Sequence, residues 1–379
     1  MKKIIAANMP YHKKEYLCTL LLEDNKPVDI DMQPLGSEKL VGNIYLGKVD
    51  RIQKNLQAAF VRYAGGQIGY LPINFDSKEI RVGDEFPVQI TVDAIKMKQP
   101  RLDTNLKLTG KYMVLTKNGG LNFSRKLPGP VQRELKKKFL RFYKGAFGCI
   151  VRTNAAEAGL ESLQNEYAFL ARTMEKICKH GKERPAYSCL YRTESMAMIF
   201  YKSIASDELE GLITDNEDIS AEFACYQEGN TNIQLYHDPL LPLYKLYSIE
   251  DLLQKLHNKQ VWIKSGGFLY IEQTEACTVI DINSGKYIGK KDKNQTALLI
   301  NSEACHEIAV QIRLRQLSGI ILVDFINMEK EENRQWILQC LREELKKDPV
   351  RTEVVDMTAL QIGEITRQKS RRSLLEQLT

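Results

Sequence analysis

Two aspartates stand where an apolar strand should not carry charge. Thr278-Val279-Ile280 runs straight into Asp281, and Ile320-Ile321-Leu322-Val323 runs into Asp324. A carboxylate at the end of a buried run is costly unless it is paired or binds a cation. Asn283 follows Asp281 by two residues, and the two-residue period of a strand puts both side chains on one face. Two carboxylates and an amide oxygen are hard oxygen donors, suited to magnesium with manganese as a substitute. Capping of turns or helix N-termini is the competing reading of both aspartates.

A second chemistry lies in the charge distribution. The chain has 54 basic and 48 acidic residues, a net charge of +6. Between Lys107 and Arg152, however, twelve basic residues meet one acid, Glu134, which gives +11 over 46 residues and leaves −5 on the rest. Such a local field on a near-neutral chain is the footprint of a polyanion, most simply a phosphate backbone. The bland alternative is a solvated helix face. A phosphodiester substrate suits both the basic field and the carboxylates better than a small organic acid does.

The elements that must position these groups follow from periodicity. Residues 1–35 read as two or three strands. Residues 41–108 read as short strands at regular spacing, which implies a small barrel or sandwich. Val131, Leu135, Phe139 and Phe142 predict a helix over 130–145 with lysines on its other face. A short strand, 148–153, ends in Arg152, and a long amphipathic helix over 155–180 stops near Gly181. Residues 207–222 carry seven acids and no basic residue, which suggests a surface helix and turn. From 259 onward the pattern is a hairpin about Ser265-Gly266-Gly267, a strand at 278–283, a helix at 296–316, a strand at 319–325 and a helix at 329–347.

Composition sets the outer bounds. The chain has 379 residues, enough for two to four domains, and its 43% hydrophobic content excludes a wholly disordered chain. No apolar run reaches the ~20 residues of a membrane span, and the start Met1-Lys2-Lys3-Ile4-Ile5-Ala6-Ala7 is too short in apolar residues for a secretory signal. No integral membrane association is expected. The eight cysteines are scattered with no C-x-x-C, which suits reduced, mostly buried thiols in a cytoplasmic protein, with no structural zinc.

Longer words of the sequence carry a resemblance. Gly42-Asn43-Ile44-Tyr45-Leu46-Gly47-Lys48-Val49, Leu56-Gln57-Ala58-Ala59-Phe60-Val61 and Gly69-Tyr70-Leu71-Pro72 resemble the RNA-binding module that opens the ribonuclease E/G family. Val151-Arg152-Thr153 is similar to that family's arginine-threonine pair. Gln273-Thr274-Glu275-Ala276, Asp281-Ile282-Asn283-Ser284-Gly285-Lys286 and Arg313-Leu314-Arg315 through Gly319 to Asp324-Phe325-Ile326 resemble its catalytic region. The resemblance covers nearly the whole chain, in the family's order.

What the resemblance implies is an α/β multidomain protein. An RNase H-like domain would comprise 1–38 and 190–256, interrupted by an S1-type OB barrel at 39–108 and a 5′-sensor region at 109–189. A DNase I-like catalytic domain would fill 257–379. The implied activity is magnesium-dependent, single-strand-specific endoribonuclease cleavage in RNA processing and decay, leaving 5′-phosphate and 3′-hydroxyl ends. Asp281 and Asp324 would hold the ion, and Asn283 would bond the scissile phosphate or position a carboxylate. Arg152 and Thr153, with Arg351 and the Gly120 backbone, would bind a 5′-monophosphate. Gly119-Gly120 as a mere hairpin turn and Arg351 as an ordinary surface arginine are the simpler readings. Phe60 and Tyr70 would stack on bases, with barrel core as the alternative. Lys98 and Arg101 would touch phosphates, with solvated surface as the alternative.

The sequence departs from the family's pattern twice. The family typically continues into a C-P-x-C-type motif that joins two subunits through zinc; this sequence stops at Thr379 without one, so any homodimer is not expected to be zinc-linked. Asn327 stands where many members have aspartate. The competing function is a non-catalytic RNA-binding protein of ribosomes or translation, and a DNA nuclease with the same metal logic is a third reading.

Overall fold

The computed structural model describes residues 1–379 apart from 38–39, 74–79, 95–98, 206, 227–231, 286–292 and 379. The fold is mixed α/β. It divides into two compact units, Met1–Gly36 with Leu209–Thr379, and Ser37–Glu208.

In the first unit, Lys2–Tyr11, Lys14–Glu23 and Lys26–Pro34 form an antiparallel meander. Asp24 and Asn25 both have positive φ in the second turn, the conformation that a tight two-residue hairpin needs and that Asp and Asn tolerate. Leu209–Thr214 adds a strand parallel to the first, and Ile233–Leu235 follows it. The expectation of a helix and turn over 207–222 is therefore corrected in its first half. Leu212 and Thr214 are buried while Glu208 and Glu210 face outward, so the acids belong to strand edges and the helix is confined to Glu217–Cys225. Helices Leu243–Leu246 and Ile249–His257 cover the meander with Leu243, Ile249, Leu253 and Leu256.

The same unit holds a six-stranded sheet in the order Gln260–Trp262, Phe268–Gln273, Cys277–Asn283, Gly319–Asp324, Ile362–Arg367, Thr352–Met357. The last two strands carry no clear alternation and were not expected. Helices Lys293–Leu314 and Glu331–Leu345 pack on one face around Leu269, Ile280, Ile282, Ile321 and Val323. The helix ends lie within a few residues of the expected ones. A buried polar lock ties this sheet to the meander. Arg367 and Asp348, each 1% exposed, pair at 2.7 Å, and Gln316 and Arg371 both donate to the Asp29 carboxylate. Arg315 donates to the Asn258 carbonyl, and its burial pushes its pKa down to about 10.

The second unit begins with a closed five-stranded barrel, consistent with an OB-type fold: Ile44–Gln53, Ala58–Tyr63, Gln67–Pro72, Glu85–Val92 and Arg101–Asp103. Tyr45, Val61, Tyr63, Leu71, Val88 and Ile90 fill its interior. A four-stranded sheet follows, in the order Leu121–Phe123, Gly148–Val151, Met113–Thr116, Lys107–Thr109. Two helices cover it. Gly129–Phe139 ends earlier than expected, because Phe142 packs on the core from the following turn. Leu160–His180 starts later than 155, because residues Thr153–Ala156 form a separate 3-10 turn and Gly159 caps the long helix. Residues 190–208 group with this unit. Cys189–Tyr191 pairs with a barrel strand, and the Lys202 carbonyl accepts from Asn154.

Of the seven cysteines whose side chains are described, Cys18, Cys149 and Cys305 are buried and the other four are half-buried. No described helix is long and apolar enough to cross a membrane.

Candidate active site and phosphate-binding surface

The Cys277–Asn283 and Gly319–Asp324 strands run parallel, and their register pairs Asp281 directly with Asp324. Alternation explains the placement. Thr278, Ile280 and Ile282 point into the helix-covered core, so Val279, Asp281 and Asn283 share the opposite, open face. Ile321 and Val323 do the same for Asp324, which is exposed, while Asp281 is half-buried. Asn283 Nδ2 donates to Asp281 Oδ2 at 2.7 Å, so the amide oxygen is what Asn283 can offer to a cation. Both aspartates sit at the carboxyl ends of parallel strands, where α/β sheets bind ligands.

The backbone around them is fixed by groups that the sequence reading did not single out. Asn301, fully buried on the Lys293–Leu314 helix, donates to the Ile326 carbonyl and accepts from its N–H, which clamps the segment just after Asp324. Its polar side chain on a long helix gave no sequence signal. Gly285 turns the chain after Asn283 with φ of +55°, and a Cβ there would collide with the Gly266 carbonyl oxygen. Asn327 pairs with Gln361, whose Oε1 accepts from the Met328 N–H.

These donors suit a hard cation. Among the described residues no group of three or more His, Cys, Asp and Glu side chains stands together. A cation held by Asp281 and Asp324 would have coordination positions left for water and phosphate oxygens, which is magnesium's habit.

In the second unit, Phe60 and Tyr70 are cross-strand partners on the outer wall of the barrel, with ring centroids 6.2 Å apart. Both are half-buried and neither joins the interior cluster, so barrel core does not explain them. Arg101 pairs in register with Tyr70 and is exposed. Arg51, which the sequence reading passed over, lies across from Phe60 with its guanidinium 4.3 Å from the ring centroid. Lys98 lies outside the described residues.

Arg152 continues the Gly148–Val151 strand. Its N–H donates to the Tyr112 carbonyl and its Nη1 to the Gly110 carbonyl at 2.6 Å, so the guanidinium is held. Thr153 is exposed beside it. Ser124 donates its N–H to the Val151 carbonyl, which brings the exposed Arg125 and Lys126 to the same strand end. Gly120 stands at the other end: its carbonyl accepts from Cys149, three residues and roughly 10 Å back along the strand. The Gly119-Gly120 pair is no hairpin turn, since the strands before and after it flank Gly148–Val151 on opposite sides. Arg351 belongs to the first unit, where its guanidinium pairs with Glu353 at 2.8 Å. Of the +11 stretch, Lys107, Arg125, Lys126, Arg133, Lys136, Lys137, Arg141 and Lys144 are exposed. Lys111 is instead buried, with its Nζ over the Tyr201 ring.

Comparison with known proteins gives one family. A profile described as "Ribonuclease E/G family" matches residues 107–370. Ribonuclease G of Escherichia coli (strain K12) is 31% identical over 361 residues, covering 88% of this chain and 74% of that protein. Ribonuclease G of Haemophilus influenzae is 29% identical over 383 residues, covering 93% and 77%. Ribonuclease E of Escherichia coli (strain K12) is 31% identical over 394 residues, covering 96% of this chain but 37% of that longer protein.

Proposed function

Because the chain belongs to the ribonuclease E/G family and is an endoribonuclease of RNA processing, we propose that it cleaves single-stranded RNA at the strand ends carrying Asp281, Asn283 and Asp324. The observation that carries this reading is the register pairing of Asp281 with Asp324, with Asn283 bonded to Asp281. Asp281 and Asp324 hold a magnesium ion, for which manganese can substitute. When bound, the ion supplies Lewis-acid stabilisation of charge on the phosphate and lowers the pKa of a bound water. Asn283 keeps the Asp281 carboxylate in place through its 2.7 Å bond. Asn301 holds the segment that follows Asp324, so that carboxylate is presented on a fixed backbone. The products carry 5′-phosphate and 3′-hydroxyl ends.

The second unit binds the same RNA. The outer-wall aromatics Phe60 and Tyr70 stack on bases, flanked by Arg51 and Arg101. Arg152 and Thr153 read a 5′-monophosphate, in the field of Arg125 and Lys126. In this reading the domain plan is an RNase H-like domain interrupted by an S1-type barrel and a 5′-sensor, followed by a DNase I-like catalytic domain. The protein works in the cytoplasm.

The test is cleavage of a 5′-labelled single-stranded RNA with and without magnesium, with the product ends identified. Magnesium-dependent cuts with 3′-hydroxyl ends are expected. Binding without cleavage at any magnesium concentration would leave only the RNA-binding reading.

A further inference from the structure

The open face of the six-stranded sheet does not end at the carboxylates. In register, Tyr270 lies directly opposite Asp281, and Phe268 opposite Asn283. Trp262 in turn lies opposite Phe268, with ring centroids 5.2 Å apart and planes at 59°. Three aromatic side chains thus form a row that starts beside the candidate site and runs outward across two strands, about 10 Å. Their alternating neighbours, Leu269 and Ile271, carry the core, so packing does not require aromatics here. Trp262 is 54% and Tyr270 38% exposed, which is a large apolar surface left to water. Lys259 and Lys264 are exposed beside the outer strand; the Lys259 ammonium sits 5.9 Å from the Tyr270 ring centroid and is paired with Glu272 at 2.6 Å.

We propose that Trp262, Phe268 and Tyr270 form a stacking platform for the nucleobases next to the scissile phosphate. This inference rests on Asp281, Asn283 and Asp324 being where the RNA is cut. Two features favour RNA bases over another protein surface: the row is continuous with the phosphate end of the site, and its rings leave apolar surface of base size to water with the exposed Lys264 beyond Trp262. Every base has a π-face, so such a platform accepts all four and discriminates against a nucleotide that has none. The platform holds the chain on one side of the cut bond and so orients the phosphate at Asp281 and Asp324.

The experiment uses the full chain and two RNAs of equal length and sequence, one with an abasic nucleotide next to the cleaved bond. The wild-type chain should cleave the abasic RNA about five- to a hundredfold more slowly, the range of one lost stack. Trp262→Ala and Tyr270→Ala should slow the intact RNA by a similar factor while hardly changing the abasic one, and Trp262→Phe should restore most of the rate. Trp262 can also be watched directly. The chain has two tryptophans, so in a Trp336→Phe background its fluorescence should be quenched by the intact RNA and less by the abasic one. Equal slowing of both RNAs by Trp262→Ala and Tyr270→Ala, or no slowing by either, overturns the platform. So does a change in sedimentation on Trp262→Ala, which would mean that a second copy of the chain covers this face. If Asp281→Asn leaves cleavage intact, it is the assignment of the cutting site that fails, and the abasic comparison in the wild-type chain then reads separately on stacking.

Discussion

Asp281 and Asp324 face each other across two parallel strands, each the first charged residue after an apolar run, and Asn283 is bonded to only the first of them. The pair is therefore asymmetric: one carboxylate is half-buried and held by an amide, while the other is exposed and presented by a clamped backbone. In the proposed reading both would hold the cation, Asp281 through a side chain fixed by Asn283 and Asp324 from a clamped backbone.

The 5′ end should be read by Arg152. Arg152→Ala is expected to slow cleavage of 5′-monophosphorylated RNA by about ten- to a hundredfold, the loss of one charge-assisted bond set, with little effect on 5′-hydroxyl RNA. Equal slowing of both would mean that the bond from Arg152 to Gly110 only supports the fold.

RNA binding should weaken steeply with salt. If about five phosphates are neutralised, log K should fall with log salt at a slope of roughly −3 to −4, measured by fluorescence anisotropy on a single strand. A slope near zero would make the +11 stretch a solvated surface.

The sequence announced the aspartates because charge interrupts apolar periodicity, a local signal. Turn spacing announced a small barrel or sandwich, without deciding between them, and the Ser265-Gly266-Gly267 hairpin. The sequence hid the Leu209–Thr214 strand, whose flanking acids outweighed Leu212 and Ile213 in the count. The aromatic row was also out of reach, since Trp262, Phe268 and Tyr270 become neighbours of Asp281 and Asn283 only through strand register. Asn301 and Arg51 act through partners distant in sequence or across a strand, and nothing at their own positions marks them. Gly120 leads into the strand beside that of Arg152, but the register sets it against Cys149, three residues back, and register is invisible in the sequence.

The buried lock should dominate the stability of the first unit. Asp348→Ala leaves the Arg367 guanidinium, 1% exposed, without its partner. The expected cost is about 3–5 kcal/mol, seen in urea unfolding followed by tryptophan fluorescence. Both tryptophans, Trp262 and Trp336, lie in this unit. A loss below about 1 kcal/mol would contradict the lock.

Alkaline pH should destabilise the fold through its buried thiols. Burial pushes Cys149 from its ordinary value of 9.0 up to about 12, and pushes Cys18 and Cys305 in the same direction. Below pH 9 the thiols are protonated in both states and the contribution is fully present. Between pH 9 and about 12 the unfolded chain releases protons that the folded chain keeps, so stability falls as pH rises. Cys149→Ala should flatten that fall, and alkylation at pH 8 should spare Cys149 until the chain unfolds. Rapid modification of Cys149 in the folded chain would contradict its burial.

Asp281 and Asp324 should act together in cutting RNA. The most direct measurement is the single-turnover cleavage rate at saturating magnesium for Asp281→Asn, Asp324→Asn and the double variant, with RNA affinity measured alongside. Each single variant should lose about a thousandfold, the scale of several kcal/mol of charge stabilisation, with affinity nearly unchanged. The double variant should be hardly slower than either, because groups that act as one unit are not additive. Near-normal cleavage by either single variant, or losses that multiply in the double, would contradict the claim.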